Sequence, residues 1–357
     1  MSLYPGSTIG IIGGGQLGRM MAMAAARLGY RCHIYDPHRR PCAAEVSAEF
    51  SMARFDDEAA LRRFADACDV VTYEFENLPA GPLAAIGDRL RPGTASLSVS
   101  QDRAEEKRFL ARVGARVAPW REVDGLADIR AALSELGAPV LLKTRRLGYD
   151  GKGQAWVHAA DDADAAWDSI GRQPAVAEAR VAFDAEFSLI LARSQEGETS
   201  AFPLTRNEHD NGILRRSTVP AGPEIEALFD SAFRSATAIA DALDHVGVLT
   251  VEFFAWRGAA IVNEIAPRVH NSGHWTIEGA LTSQFEQHVR AICGLPLGAT
   301  GLVSAGATMD NLIGPDVDQL PGLIAEPGAM VHLYGKGEAR PGRKMGHVTR
   351  IMTTSRN

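Results

Sequence analysis

Near residue 100 the pattern of apolar residues changes, and that change limits the fold more than any other feature. Before it, short β-branched runs alternate with helix-forming ones: Thr8–Ile12, Arg19–Leu28 stopped by Gly29, Arg31–Tyr35, Asp57–Ala67 and Val70–Phe75. Such alternation predicts a parallel sheet with helices on its faces. Beyond it come strand-length runs at Pro139–Lys143, Ala155–His158, Phe187–Ala192, Ala201–Leu204, Val248–Trp256 and Ala260–Ile265, with one long amphipathic helix expected over Pro223–Asp244. Many strands with few helices predict an antiparallel or mixed sheet. The expected architecture therefore joins α/β to α+β, with domains over residues 1–100, 101–295 and, from Pro296, 296–357. Loosened composition at Arg91-Pro92-Gly93 leads to an expected hinge at Ser96–Gln101, after which Asp102 can cap a helix with Glu105 as its capping-box partner.

Composition narrows the function classes. Lys+Arg number 37 against 44 Asp+Glu, a net charge of −7, with 46% hydrophobic and 23% charged residues. These are values of a globular protein, not of a disordered, collagen-like or supercharged chain. No apolar run reaches the 18 or so residues of a membrane span. No Lys or Arg precedes Arg19, and Gly13–Gly15 interrupt any signal-peptide core, so a cytoplasmic protein is expected. Cys32, Cys42, Cys68 and Cys293 are too scattered for a metal knuckle or a disulfide framework.

Several constellations carry chemistry. Gly13-x-Gly15-x-x-Gly18 has the form of a dinucleotide fingerprint, with Asp36 near the place of a ribose-binding acid. The same turn also serves close helix–strand packing, and Gln16 could instead meet a polar substrate. Glu74 and Glu76 end a strand of that sheet and share a face, either for a ligand or as solvated acids. Gly148–Gly153 lies between two strands, unlike a P-loop, and could close over phosphates, with Lys143 supplying a point charge. Glu252 and Glu264 lie on strands joined around Arg257-Gly258-Ala259. A three-residue connection sets them opposite each other, whereas a two-residue one turns Glu264 away. Opposed carboxylates repel unless a cation intervenes, and Mg²⁺ with phosphate oxygens would answer that. Arg268 and His270 follow as substrate-contacting candidates. Finally, His332–Arg350 sets Lys336, Arg340, Arg343, Lys344 and Arg350 against Glu338 alone, a fit for a 5′-phosphate more than for nucleic acid, since interleaved aromatics are missing.

Taken in order, Gly13–Met20, Tyr73–Asn77, Gln101–Phe109, Lys143–Gln154, Glu178–Glu186, Pro203–Leu214, Asn263–Thr276 and Leu333–Gly346 resemble the N5-carboxyaminoimidazole ribonucleotide synthetases, ATP-grasp enzymes of purine biosynthesis. The likeness implies a Rossmann-like pre-ATP-grasp domain, a central ATP-grasp domain and a small C-terminal one. It implies ATP and Mg²⁺ as cofactors, 5-aminoimidazole ribonucleotide and bicarbonate as substrates, and a homodimer. ATP would meet Arg103, Lys143, Gly148, Tyr149, Asp150, Gly151, Lys152, Gly153, Gln154, Glu178, Ala179, Arg180, Val181, Glu186, His209, Asn263 and Glu264. Magnesium would sit on Glu252 and Glu264. The ribonucleotide would meet Gln16, Glu76, Tyr149, Asp150, Arg268, His270, Lys336 and Arg343, and Tyr149, Asp150, Lys152, Arg268 and His270 would surround the carboxyl transfer. Leu147 stands where such enzymes commonly have glycine, and Lys152 where they often have arginine. The competing readings are a formate-using glycinamide ribonucleotide transformylase, an NAD(P) oxidoreductase and a non-catalytic nucleotide sensor.

Overall fold

The computed structural model describes residues 2–148 and 151–352, so the expected site residues Tyr149 and Asp150 lie outside the described residues. Strands β1 (Thr8–Ile12), β2 (Arg31–Tyr35), β3 (Glu49–Ser51) and β4 (Val70–Tyr73) form a parallel sheet in the order β3-β2-β1-β4. Ile9, Ile11 and Ile12 are all buried, because helices cover both faces of the sheet. The helix Gln16–Arg27 packs Met20, Met21 and Ala25 against it, and Gly29, at φ +80°, ends that turn as its sequence position predicts. The expected hinge at 96–101 is instead mostly helix, Thr94–Ser100. Asp102 does cap the helix Arg103–Arg112, accepting the Ala104 N–H at 3.0 Å, but Glu105 pairs with Arg108 at 2.5 Å rather than completing a capping box.

The next four strands, β5 (Trp120–Val123), β6 (Val140–Thr144), β7 (Gln154–Val157) and β8 (Ala175–Ala179), form an antiparallel sheet in the order β5-β8-β6-β7. In it Lys143 stands opposite Gln154, so the glycine-rich stretch does connect two paired strands. The third sheet takes β9 (Ala185–Arg193), β10 (Thr199–Ala201), β11 (Thr205–Asp210), β12 (Ile213–Val219), β13 (Gly247–Trp256), β14 (Ala259–Ala266), β15 (Gly306–Ile313), β16 (Ala329–Leu333) and β17 (Lys344–Met352). Its order is β14-β13-β9-β11-β12-β15-β17-β16, with β10 on β9. The strands after residue 296 thus extend the central sheet by main-chain hydrogen bonding to β12.

Two further expectations need correction. The strand placed at 201–204 is β10, which closes at Ala201. The long helix over 223–244 is two, Pro223–Glu226 and Phe229–Ala242. Leu228, with ψ near −1°, lies between them, and both Ile225 and Leu228 bury in the core that includes Leu249, Val251 and Phe253 of β13.

The β13–β14 hairpin places the acidic pair by a route that loop length alone does not reveal. Trp256 faces Ala259 across a two-residue turn, Arg257-Gly258, both at positive φ. Continued unbroken, that register would set Glu252 against Asn263 and turn Glu264 to the other face. A bulge intervenes: Phe253 faces Val262, the next pair is Glu252 with Glu264, and Asn263 is the extra residue.

Candidate active site

The bulge opens onto a cleft of about 660 Å³ lined by strands of the second and third sheets and by the residues that follow β1 and β4 of the first. Glu252 and Glu264 both border it, and each already has a hydrogen-bonding partner. Arg103, from the capped helix, bonds Glu264 at 2.9 Å, and His270 Nε2 lies 3.1 Å from Glu252. Burial pushes the Glu252 carboxyl up, but the hydrogen bond from His270, with His209 and Arg268 nearby, outweighs burial and lowers it. His209 in turn bonds Glu186, and both border the cleft.

Lys143 Nζ lies 3.3 Å from Asn263 Oδ1 and 2.9 Å from Glu178. Glu178 also binds Lys107 at 2.9 Å, so two buried ammonium groups share one buried carboxylate. The carboxyl of Glu178 falls to about 2: burial raises it, and the two lysines more than reverse that. Burial pushes the Lys143 ammonium below its ordinary range, and the Glu178 carboxylate opposes that. Sequence reading missed Lys107 and Glu106, although Arg103 and Lys107 stand four apart on one helix face. Glu106 borders the cleft and accepts the Ile265 N–H at 2.7 Å. Burial, with the nearby Glu264 charge, pushes its carboxyl up to about 8.

The glycine fingerprint is satisfied from within. Glu74 accepts hydrogen bonds from the Gly15 amide and, at 2.7 Å, from the Gly18 amide; Asp36 takes the Gly14 amide at 2.8 Å. A Cβ at Gly15 would come within 2.5 Å of Glu74 Oε1. The turn is an anion site whose anion is the protein's own carboxylate, which removes the case for a dinucleotide pyrophosphate there. Glu74 and Glu76 therefore part ways: Glu76 is paired with Arg268 at the cleft, and Gln16 borders the same space.

Of the expected ligand-contacting residues, Gln16, Glu76, Arg103, Lys143, Gly148, Gly151, Gln154, Glu186, His209, Asn263, Arg268 and His270 line the cleft. Gly153, at φ +70°, is confined to glycine because a Cβ would meet Thr144 Oγ1 at 2.4 Å. Lys152, Ala179, Arg180 and Val181 lie off the lining, and Glu178 lies beneath it, acting through Lys143. Phe183 and Phe254, not foreseen from sequence, stack with centroids 4.6 Å apart on the cleft wall. In the basic stretch, Arg340 pairs with Glu338 and Arg350 with Asp310 and Glu326. Lys336 instead lies over the Tyr334 ring within electrostatic reach of Glu74 and Arg343, and Lys344 borders the cleft. Arg343 donates to the Glu338 carbonyl at 3.1 Å. All four cysteines are buried and unpaired. Among the described residues no helix is long and apolar enough to cross a membrane.

Comparison with known proteins gives three family matches: a ribonucleotide synthetase preATP-grasp domain over residues 6–101, an ATP-grasp domain over 108–285 and a phosphoribosylaminoimidazole carboxylase C-terminal domain over 307–357. The chain is 50% identical over 355 residues to the N5-carboxyaminoimidazole ribonucleotide synthase of Brucella melitensis, covering 98% of each. It superposes on the ADP-bound synthetase of Staphylococcus aureus with a TM-score of 0.94 at 39% identity, over 99% of this chain and 95% of that one. The synthase of Aspergillus clavatus, solved with ADP and 5-aminoimidazole ribonucleotide, matches with a TM-score of 0.92 at 31% identity, over 99% of this chain and 95% of that one.

Proposed function

The chain belongs to the N5-carboxyaminoimidazole ribonucleotide synthase family of ATP-grasp ligases, and we propose that its cleft holds ATP, bicarbonate and 5-aminoimidazole ribonucleotide around the Glu252–Glu264 pair. The enzyme is an ATP-dependent carbon–nitrogen ligase that carboxylates the ribonucleotide amine and releases ADP and phosphate. The observation that carries the proposal is the bulged register, which sets Glu252 opposite Glu264 at the cleft while the extra residue, Asn263, meets Lys143 at 3.3 Å.

The donor set fits magnesium. Two carboxylates from neighbouring strands are hard oxygen ligands, and among the described residues no group of three or more His, Cys, Asp or Glu side chains could enclose an ion unaided. That suits a cation completed by phosphate oxygens, held by Glu252 and Glu264. When bound, the ion neutralises charge on the phosphates during transfer. Lys143, held by Glu178, supplies a fixed positive charge for the same phosphates. Stacked Phe183 and Phe254 give an apolar wall suited to a base. Arg268, fixed by Glu76, and His270, fixed by Glu252, face the carboxyl acceptor. Lys336 and Arg343 bring positive charge near the end of the first sheet, where a 5′-phosphate would bind. Bicarbonate is a poor electrophile, so its activation as carboxyphosphate requires water to stay out, which the connection containing Gly148, Gly151 and Gly153 serves by covering the phosphates. We assign a homodimer in the cytoplasm to this enzyme, in keeping with its phosphorylated substrates and buried free thiols.

The deciding experiment is ADP release measured with 5-aminoimidazole ribonucleotide, with and without bicarbonate. Release that requires both substrates is expected. Turnover with formate and glycinamide ribonucleotide, and none with bicarbonate, would replace the proposal with the transformylase reading.

A further inference from the structure

Behind His270 runs a buried line of hydrogen bonds that its own chemistry does not require. Ser217 of β12, Ser188 of β9 and Ser272 of the turn after β14 are fully buried, and Asn207 of β11 nearly so. Sheet register sets them in reach of one another: Asn207 faces Ser217, Ser188 faces both Glu252 and Thr205, and Asn207 is diagonal to Ser188. Ser217 Oγ lies 2.9 Å from Asn207 Oδ1, and Asn207 Nδ2 lies 3.1 Å from Ser188 Oγ. Ser188 Oγ is 2.8 Å from Ser272 Oγ, which is 2.9 Å from His270 Nδ1.

Each hydroxyl has one hydrogen, so the line has a direction. The amide NH₂ of Asn207 can only donate, hence Ser188 accepts from it and passes its own hydrogen to Ser272. Ser272 then donates to His270 Nδ1. A second donor that cannot reverse, the Ser272 backbone N–H, points at the same nitrogen from 3.3 Å. Nδ1 is thus an acceptor, and the imidazole hydrogen stands on Nε2, facing Glu252 at 3.1 Å. We propose that Ser272, oriented by Ser188, Asn207 and Ser217, is the positioning residue that holds His270 as its Nε2–H tautomer at the carboxylation site. The proposal rests on the reading of His270 as a substrate-site group.

Protein labelled with ¹⁵N-histidine, assigned with His270→Asn, tests it by long-range ¹H–¹⁵N correlation of the His270 ring. The expected wild-type spectrum has hydrogen on Nε2 and a bare Nδ1. Ser272→Ala and Ser188→Ala should each weaken the hold on Nδ1, so that a minor Nδ1–H population appears beside the Nε2–H form that the Ser272 backbone N–H still favours. Both should lower kcat, Ser272→Ala by roughly 10- to 100-fold, as for other groups that orient a functional histidine. The ATP KM should stay within about twofold, and Ser272→Thr, which restores the hydroxyl, should recover the wild-type spectrum. Hydrogen on Nδ1 in the wild type, or an unchanged tautomer and kcat in both alanine variants, overturns the assignment. Should His270→Asn retain full carboxylation, the reading of His270 fails instead, and the spectrum still reports the tautomer.

Discussion

Replacing Glu178 by Gln isolates the electrostatic core of the cleft. Glu178 is 4% exposed and touches Lys107 and Lys143 at 2.9 Å each. Unit charges 4 Å apart attract by about 4 kcal/mol at an effective dielectric of 20, so two such contacts outweigh any single hydrogen bond that Gln could keep. What remains in Glu178→Gln is two buried ammonium groups without an anion, and breaking such a pair costs about 3–5 kcal/mol. With an unfolding entropy of about 2.1 cal/mol/K per residue, a chain of this size melting as one unit would lose about 5 °C in Tm. Adding Lys107→Met to Glu178→Gln leaves one unpaired ammonium instead of two, so the double variant should regain at least about 1 kcal/mol. Denaturant titration of the four members of this cycle measures the coupling. The pH dependence has a definite sign. Glu178 is held at about 2 from an ordinary 4.5, so its contribution is complete above pH 4.5 and disappears as pH falls toward 2. The gap between wild type and Glu178→Gln should close over that interval. If Glu178→Gln unfolds within 0.5 kcal/mol of wild type at neutral pH (about the scatter of surface substitutions), the triad is not what holds Lys143.

Glu106 should behave with the opposite sign: its carboxyl is raised to about 8, so its stabilisation is full below pH 4.5 and lost as pH rises to 8. Glu106→Gln keeps the bond from Ile265 and should be more stable than wild type by about 1–4 kcal/mol at pH 8 in the absence of ligands, with no gap at pH 4.5, as read by thermal melts. Leu147 is 72% exposed and held at φ +61°, a conformation costing a non-glycine residue about 1–2 kcal/mol. Leu147→Gly should raise the unfolding free energy from denaturant titration by up to about 1 kcal/mol and Leu147→Val should lower it; identical values would remove the strain argument. Lys336→Ala should raise the ribonucleotide KM by about tenfold while moving the ATP KM less than twofold, and equal shifts in steady-state assays would argue against a phosphate contact.

Periodicity made β1, β2 and β4 of the first sheet legible because these strands are largely buried on both faces, whereas β3, a short and mostly exposed Glu49-Phe50-Ser51 edge, left no such pattern and was missed. The third sheet was harder: β11 and β12 carry Arg206, Asn207, Glu208, His209, Arg215 and Arg216, which hide strand character behind polar residues. The acidic pair was foreseen, but through a three-residue connection, whereas the chain uses a two-residue turn and a bulge at Asn263. Bulges leave little mark in sequence, since any residue can be the extra one. Gly13–Gly18 misled in the other direction, because one-dimensional spacing does not reveal that Glu74, some sixty positions away, fills the turn. Lys107 and Glu106 stayed hidden within an ordinarily charged helix, whose buried side only tertiary packing identifies.

The continuity of the third sheet bears on how the chain matures at the ribosome. Strand β12 pairs with β11 as soon as both emerge, but its other edge has no partner until β15 appears about ninety residues later. At the pace of translation that wait lasts on the order of ten seconds. Throughout it the nascent polypeptide displays an open row of amides and carbonyls, a template for stray pairing, so the arrival of β15 closes a vulnerability that the strands before it create.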